Sequence, residues 1–578
     1  MSFKPNQNQQ ITLNDSFINQ TPRTQKIIMN SWCRDFADIV FPAINEERFS
    51  VLYSDNKFSR PNTPVNFIIG ALILKENNNL NDDELFESIC CDIRYQYALH
   101  TTHLPEQPVS DRTFSRFRER LYNYELETGR NLLKEEMMQL SEIYSDYMNL
   151  NSNIKRMDSL MVASRCRRMS RLEIIYSTTA NAVRLIHRLG NEELIPKELL
   201  HYLDPDDYNN VIYYCKGDDV TPRLEKALLE AAQVKAIMDD DTWHELQEYR
   251  LLIRVLEEQS RSDESGNPVA KDKKEITSTS LQNPSDPDAT YRHKAGKDHK
   301  GYVGNIVETV GENGDSLITD VEYEKNTHSD SAFCKEYLDS RPDNAESEIM
   351  IADGAYSGAE NQELAASKNM ELITTALSGK ETNKIFSGFT FTEDGRQVTG
   401  CPMGNAPLKT TFYPKTGMCR ALFARECCEK CPHREECKAR EQKKNYAVHV
   451  SANMADRARY LAKLTTDEYK QLTRKRNAIE GIPSVLRRKY HVDDIPVFGY
   501  LRSRQFFLFK VGAYNFNKLL KHNRRTRGES AQNLAMALKI CGGYLHIYSK
   551  IQQNPSNMDC YSIKSNSGGK CGNSNCYF

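Results

Sequence analysis

The hydrophobic period of this chain changes at Ile154, and that change restricts the fold more than any other feature. Upstream, Ile27, Ile28, Trp32, Phe36, Ile39 and Val40 recur at helical spacing within Gln25 to Ala43. Thr63-Pro64 offers a cap and a first-turn proline for a helix over Val65 to Lys75. Asn81 can cap a second helix carrying Leu85, Phe86, Ile89 and Ile93, and Ser110-Asp111 opens a third. From Ile154 to Val162 the residues alternate as in a strand, with Asp158 near its middle. A polar helical stretch from Leu172 to Glu258 follows, then a Ser/Asp/Lys-rich segment, Ser260 to Lys274, that reads as a flexible linker. Strand signals return at Tyr302 to Val310 and Leu317 to Tyr323, joined as a hairpin by Gly311-Glu312-Asn313-Gly314-Asp315. Next come a helix near Ser331 to Leu338, a strand ending at Asp353, a helix near Ala359 to Lys368 and a strand over Glu371 to Thr375. With the helical insert removed, this is a three-strand meander leading into α/β crossovers.

The 578 residues allow roughly three or four domains at about 150 residues each. The pattern divides them into a disordered arm (1–25), a helical domain (26–150), an α/β domain (151–380) with a helical insert (172–275), a cysteine-rich insert (381–445), a helical region (446–550) and a disordered tail (551–578). No run of about 18 apolar residues and no apolar amino-terminal stretch occurs, so a soluble, cytoplasmic protein with no membrane partner is expected. Sixteen cysteines spread over so long a chain fit reduced thiols, some holding metal, better than a disulfide framework. A net charge of -2 excludes a uniformly basic nucleic-acid binder but leaves local basic surfaces open.

Three acids stand in short segments: Asp158 in Arg156-Met157-Asp158-Ser159, Asp353 in Ile351-Ala352-Asp353-Gly354-Ala355-Tyr356, and Glu480 in Arg476-Asn477-Ala478-Ile479-Glu480. Carboxylates brought together from distant parts of a chain suit two magnesium ions, because hard cations take oxygen ligands and must keep positions open for phosphate and water. Together with Asp286-Pro287-Asp288-Ala289 before a basic hairpin, these segments make the chain resemble the DDE transposases of bacterial insertion sequences, most closely the cysteine-bearing eleven-eighty-two type. The resemblance spans most of the chain, since the region near 60–125 is also similar to the amino-terminal domain of such transposases. It implies an RNase H-like catalytic domain in which Asp158 bridges two magnesium (or manganese) ions, Asp353 binds one and Glu480 the other. It also implies element terminal inverted repeats and target DNA as partners, a homodimer in the synaptic complex, and association with the bacterial nucleoid. The chain departs from the family in having Thr473 where a tyrosine is common and Arg487 where a lysine is common. Gly481 and Pro483 also argue against a continuous helix beyond Glu480. A catalytically silent DNA-binding protein and an RNase H-like nuclease that does not join DNA are the rival readings.

Cys428 and Cys431 have knuckle spacing, and Cys401 with Cys437 would complete four sulfur ligands for a structural zinc. Cys419, Cys427 and His433 stand as alternative ligands, an iron-sulfur cluster as an alternative occupant, and a small core of reduced thiols as the plain reading. Candidate DNA contacts are Arg112 and Arg116 on the third amino-terminal helix, Arg165, Arg167 and Arg168 after Asp158, Lys294 and Lys297 before the hairpin, and Arg476 and Arg487 around Glu480.

Overall fold

The alternating segment forms a strand, Ile154–Ala163 (β1), in the middle of a six-stranded mixed sheet. The others are Thr290–Lys294 (β2), Lys297–Val310 (β3), Ser316–Lys325 (β4), Glu348–Ala352 (β5) and Met370–Thr374 (β6). In this computed structural model the described residues are 1–6, 15–56, 58–150, 152–215, 217–294, 296–343, 345–374, 382–476 and 478–553, with side chains described as far as Gly528. The chain forms two units, Met1–Leu519 and Leu520–Phe578. All that follows concerns the first. Within the second, the backbone continues the helix Tyr500–Gln553, and the predicted tail past Gln553 lies outside the described residues.

Across the sheet the order is β3, β1, β5, β6, with β4 and β2 sharing the far edge of β3. β3 runs antiparallel to β1, whereas β5 and β6 run parallel to it and to each other. The meander and crossovers expected from sequence are therefore present in an α/β architecture. Gly301 to Thr309 of β3 is buried throughout, as a central strand covered on both faces should be. Helices Asp330–Ser340 and Ala359–Ser367 cover one face through Phe333, Cys334, Leu338 and Ala365, which meet Met157, Val303, Val307 and Met350. The other face receives the start of helix Tyr500–Gln553. A Cβ added to Gly304 would overlap the Phe507 ring, so the glycine is what lets that helix lie on β3.

That helix also binds the amino-terminal domain. Lys510 donates to Glu76 (2.6 Å) and Asn515 donates to Ser141 (2.8 Å) and to the Ile318 carbonyl (2.8 Å), all of them buried. In that domain, helix Val65–Asn78 is buried from Val65 to Glu76, helix Asp82–Cys91 opens on the Asn81–Glu84 capping box, and the helix expected from Ser110-Asp111 spans Thr113–Thr128.

Two expectations of disorder are corrected. Within the predicted arm, the Ser2 backbone pairs with Arg60 and Asn62, Lys4 N–H donates to Asn62 (2.7 Å), Asp15 accepts from Thr102 (2.7 Å), and a helix already begins at Pro22; residues 7–14 lie outside the described set. The predicted linker contains an antiparallel hairpin, Ser260–Ser262 with Pro268–Ala270. Its turn is closed by Asp263, which accepts from the N–H groups of Ser265 and Asn267 (both 2.8 Å), with Gly266 at φ 84°. Polar composition there encodes a side-chain-closed turn. The insert before it packs helices Arg171–Arg188, Val220–Ile237 and Gln247–Gln259 around cores of their own.

Candidate active site

The spacing of the first two acids follows from the sheet. The parallel ladder between β1 and β5 pairs Arg156 with Ile351, so Asp158 and Asp353 each lie two residues beyond the same pair. Neighbouring strands are about 4.8 Å apart, and β5 ends at Ala352. Asp353 then turns the chain into a short 3-10 segment, Gly354–Tyr356, its side chain accepting from Gly354 N–H. The buried Tyr356 donates to Asn305 on β3 (2.8 Å), which accounts for the tyrosine of this motif as an anchor.

Glu480 arrives from another direction. Helix Asp467–Arg476 packs on β5, and Glu480, with αR backbone angles and no side-chain cap bond, immediately precedes a new helix, Gly481–Arg488. Pro483 falls in the first turn of that second helix, where no donor is needed, so the proline is accommodated beyond Glu480 while the helix is broken before it. Arg476 joins the acids. Its guanidinium is 3.1 Å from Glu480 and 3.8 Å from Asp353, and its side chain is only 12% exposed.

Asp158 lies deeper, beside a second acid. Burial pushes its carboxyl up to about 6, opposed by the charge of Arg476, the Ser159 N–H and Lys294, and reinforced by Asp353. Next to it lies a buried acid that sequence reading missed, Asp330. It accepts from Ser159 Oγ (2.8 Å) and Lys294 Nζ (3.1 Å), with Arg292 3.5 Å away. Its position in the first turn of a helix is where an acid normally complements the helix dipole, so nothing in the sequence set it apart. Among the described residues, no three His, Cys, Asp or Glu side chains are close-set enough to hold one metal ion.

The predicted basic contacts divide. Lys294 lies beside Asp158, touching Ser159 (3.3 Å) and Asp330, while Lys297 is exposed at the tip of the same hairpin. Arg487 donates to the Met161 carbonyl of β1 (2.8 Å) and pairs with Asp493 (3.1 Å). Arg165 is exposed; Arg167 is held by Tyr208 (2.7 Å) and Glu173, and Arg168 by the Asp298 carbonyl (2.9 Å). Arg112 and Arg116 are exposed on the amino-terminal domain, whereas their neighbour Arg118 is packed over Phe506 and paired with Asp82. The Asp286-Pro287-Asp288 motif is a brace. Asp286 accepts from Ser164 (2.6 Å), Tyr302 (2.6 Å) and Gly499 N–H (3.0 Å), and Asp288 from Tyr500 N–H (3.1 Å), which anchors the start of the long helix.

The cysteine-rich insert is a four-stranded antiparallel sheet, Lys409–Tyr413, Met418–Ala424, Asn445–Val450 and Arg440–Glu441 in spatial order. Cys401, Cys428, Cys431 and Cys437 line one cavity of about 20 Å³ together with Cys427 and His433. Cys419 faces elsewhere, donating to the Arg396 carbonyl (3.2 Å). Burial, then the neighbouring thiols, push Cys428 up to about 11 and Cys437 to about 12. Cys560, Cys571 and Cys576 lie outside the described residues.

Residues 400–520 match the family model described as Transposase DDE domain, and residues 23–120 that described as Transposase domain (DUF772). The first match contains Glu480 and the cysteine cavity and the second contains Arg112 and Arg116. Both descriptions are of transposase domains, the first of them the DDE domain of a nucleic-acid-processing enzyme. No curated protein and no solved structure matches the chain. No helix among the described residues is long and apolar enough to cross a membrane.

Proposed function

We propose that this chain is a DNA transposase of the cysteine-bearing eleven-eighty-two type, with an RNase H-like catalytic domain, that binds the ends of its element, cuts them and joins the freed 3′-hydroxyl to target DNA. The observation that carries the reading is that Asp158 on β1 and Asp353 at the end of β5 each lie two residues past the same pair of adjacent parallel strands, with Arg476 joining Asp353 to Glu480. The strand order β4-β3-β1-β5-β6, antiparallel then parallel, agrees with it.

The donor set is all carboxylate oxygen, as magnesium or manganese requires, so Asp158, Asp353 and Glu480 fit as their ligands. Bound there, the ions would supply an activated water or 3′-hydroxyl and stabilise the leaving oxygen. The chain's own residues do the rest. Arg476, whose guanidinium fork suits phosphate as well as carboxylate, orients Glu480 and would meet the scissile phosphate of bound DNA. Lys294 places an ammonium beside Asp158. Arg112, Arg116, Arg165 and Lys297 are exposed and offer sequence-independent phosphate contacts. Arg167, Arg168 and Arg487 must exchange their present partners to do the same. Two ends held together require a homodimer.

For the cysteine cavity we favour one structural zinc on Cys401, Cys428, Cys431 and Cys437, which would draw closer together than they now stand to ligate it. Room for about one water-sized particle suits a single ion better than an iron-sulfur cluster.

The test uses a plasmid carrying the DNA that flanks the gene. Asp158→Ala, Asp353→Ala and Glu480→Ala should each abolish cleavage and joining while leaving DNA binding largely intact. Binding without cleavage by the unaltered chain would indicate a silent DNA-binding protein, and cleavage without strand-transfer products a nuclease.

A further inference from the structure

Helix Asp467–Arg476, which leads into Glu480, has almost no apolar anchorage: Tyr469 is its one buried residue. Besides the contact of Arg476 with Asp353 (3.8 Å), it is held at two polar points. Near its start the Tyr469 hydroxyl donates to Glu371 on β6, an acid also bound by Lys463 (2.7 Å). At its other end the Lys475 carbonyl accepts from Arg156 Nη1. Arg156 lies on β1, two residues before Asp158 and on the same face of the strand. Its other nitrogen, Nη2, donates to Glu308 (2.6 Å), the residue directly opposite on β3. Both side chains are buried, Arg156 at 5% and Glu308 at 1% exposure.

A buried ion pair is a poor device for stability alone, because desolvation offsets most of its attraction and a well-packed apolar pair would serve as well. What an apolar pair cannot do is reach a helix-terminal carbonyl, which lacks an intrahelical donor and carries the negative end of the helix dipole. The guanidinium fork fits that task. One prong is fixed to the sheet through Glu308 and the other holds the helix one residue before Arg476, itself in contact with Asp353 and Glu480.

We infer that Arg156, oriented by Glu308, is a positioning residue that fixes the end of helix Asp467–Arg476 to β1 and so sets Glu480 against Asp158 and Asp353. The inference rests on the carboxylate reading above. Arg156 touches no reacting group; it acts through the Lys475 carbonyl. Partners of this kind typically alter metal affinity by about 10- to 100-fold when removed.

The experiment is a titration of the full chain with Mn²⁺, followed by the electron paramagnetic resonance of the free ion. Arg156→Met should weaken binding about tenfold or more and should have no further effect in a Glu480→Gln background, because the residue it positions no longer offers a charged ligand. Arg156→Lys keeps the charge and can make only one of the two contacts, so an intermediate loss is expected. This variant carries the test if Arg156→Met fails to fold, as judged by circular dichroism. If the unaltered chain binds no Mn²⁺, or Asp158→Ala binds it as well as the unaltered chain, the carboxylate reading falls and takes the inference with it. If binding depends on Asp158 but Arg156→Met binds normally, or costs as much affinity in the Glu480→Gln background as in the otherwise unaltered chain, the positioning role alone is overturned. Unaltered affinity in Arg156→Lys, where that variant carries the test, has the same result.

Discussion

Asp158→Asn should stabilise the metal-free protein, and the size of the effect follows from the carboxyl's surroundings. Burial raises its pKa to about 6 against the pull of Arg476 and the Ser159 N–H. An aspartate in the unfolded chain titrates near about 3.9. The folded state therefore binds more protons than the unfolded state between those values, and stability falls as pH rises through the window. At about 1.4 kcal/mol per pH unit, the loss reaches about 3 kcal/mol above pH ~6. Asparagine keeps the shape and the acceptor for Ser159 N–H without the charge. In chelator, urea midpoints at neutral pH should place Asp158→Asn above the unaltered chain by up to that amount, with the gap closing toward pH ~4. Divalent metal at about a hundredfold over its dissociation constant should restore about 2.7 kcal/mol to the unaltered chain and little to the variant. A gap independent of pH, or a variant less stable at neutral pH, would refute the reasoning.

Purified protein should contain about one zinc per chain, lost on joint Cys428→Ser and Cys431→Ser substitution; absence of both zinc and an iron-sulfur cluster would sink the metal reading. Because the Cys428 and Cys437 thiols lie high, at about 11 and about 12, ligation must release protons, and affinity measured by competition with a chelator should weaken as pH falls. Joint Arg112→Ala and Arg116→Ala substitution should weaken binding to DNA and lower the slope of log affinity against log salt by about 2; an unchanged slope would move recognition elsewhere. Phe507→Ala should cost about 3–5 kcal/mol in urea unfolding, because the buried ring fills the space above Gly304 and packs 5.1 Å from Tyr323.

The sheet was legible where burial dictates the residues. β1, β3, β4, β5 and β6 carry the apolar alternation or runs that a covered sheet needs, and the expected bounds lie close to those observed. β2 was not. Tyr291-Arg292-His293-Lys294 shows no apolar face, and it forms a strand because β3 extends beyond the core and offers it a backbone ladder. The flexible linker read into Ser260 to Lys274 has the same origin: composition reports the lack of a core, whereas Asp263 closes the turn through its own side chain. The acids followed suit. Asp158 stands out in the middle of a strand and Asp353 just past the end of one, but Asp330 sits where helix starts ordinarily place an acid, and only the fold brings it to Ser159 and Lys294.

The three carboxylates are therefore held by different physics. Asp158 sits on β1 and Asp353 directly follows β5, each two residues past the last pair of the ladder between those strands, so the sheet backbone sets their spacing, an arrangement that side-chain substitution elsewhere can hardly alter. Glu480 depends on a helix with one buried residue, polar contacts at both ends, and a break before the acid itself. On the proposed reading, a site that accepts DNA, cuts it and then admits a second duplex would gain from that division, because two ligands would keep their spacing while the third shifted without unfolding the sheet. The position of Glu480 should accordingly respond to substitutions such as Arg156→Lys that leave the Asp158–Asp353 register untouched, and chemistry that requires all three acids would then be tuned from outside the trio.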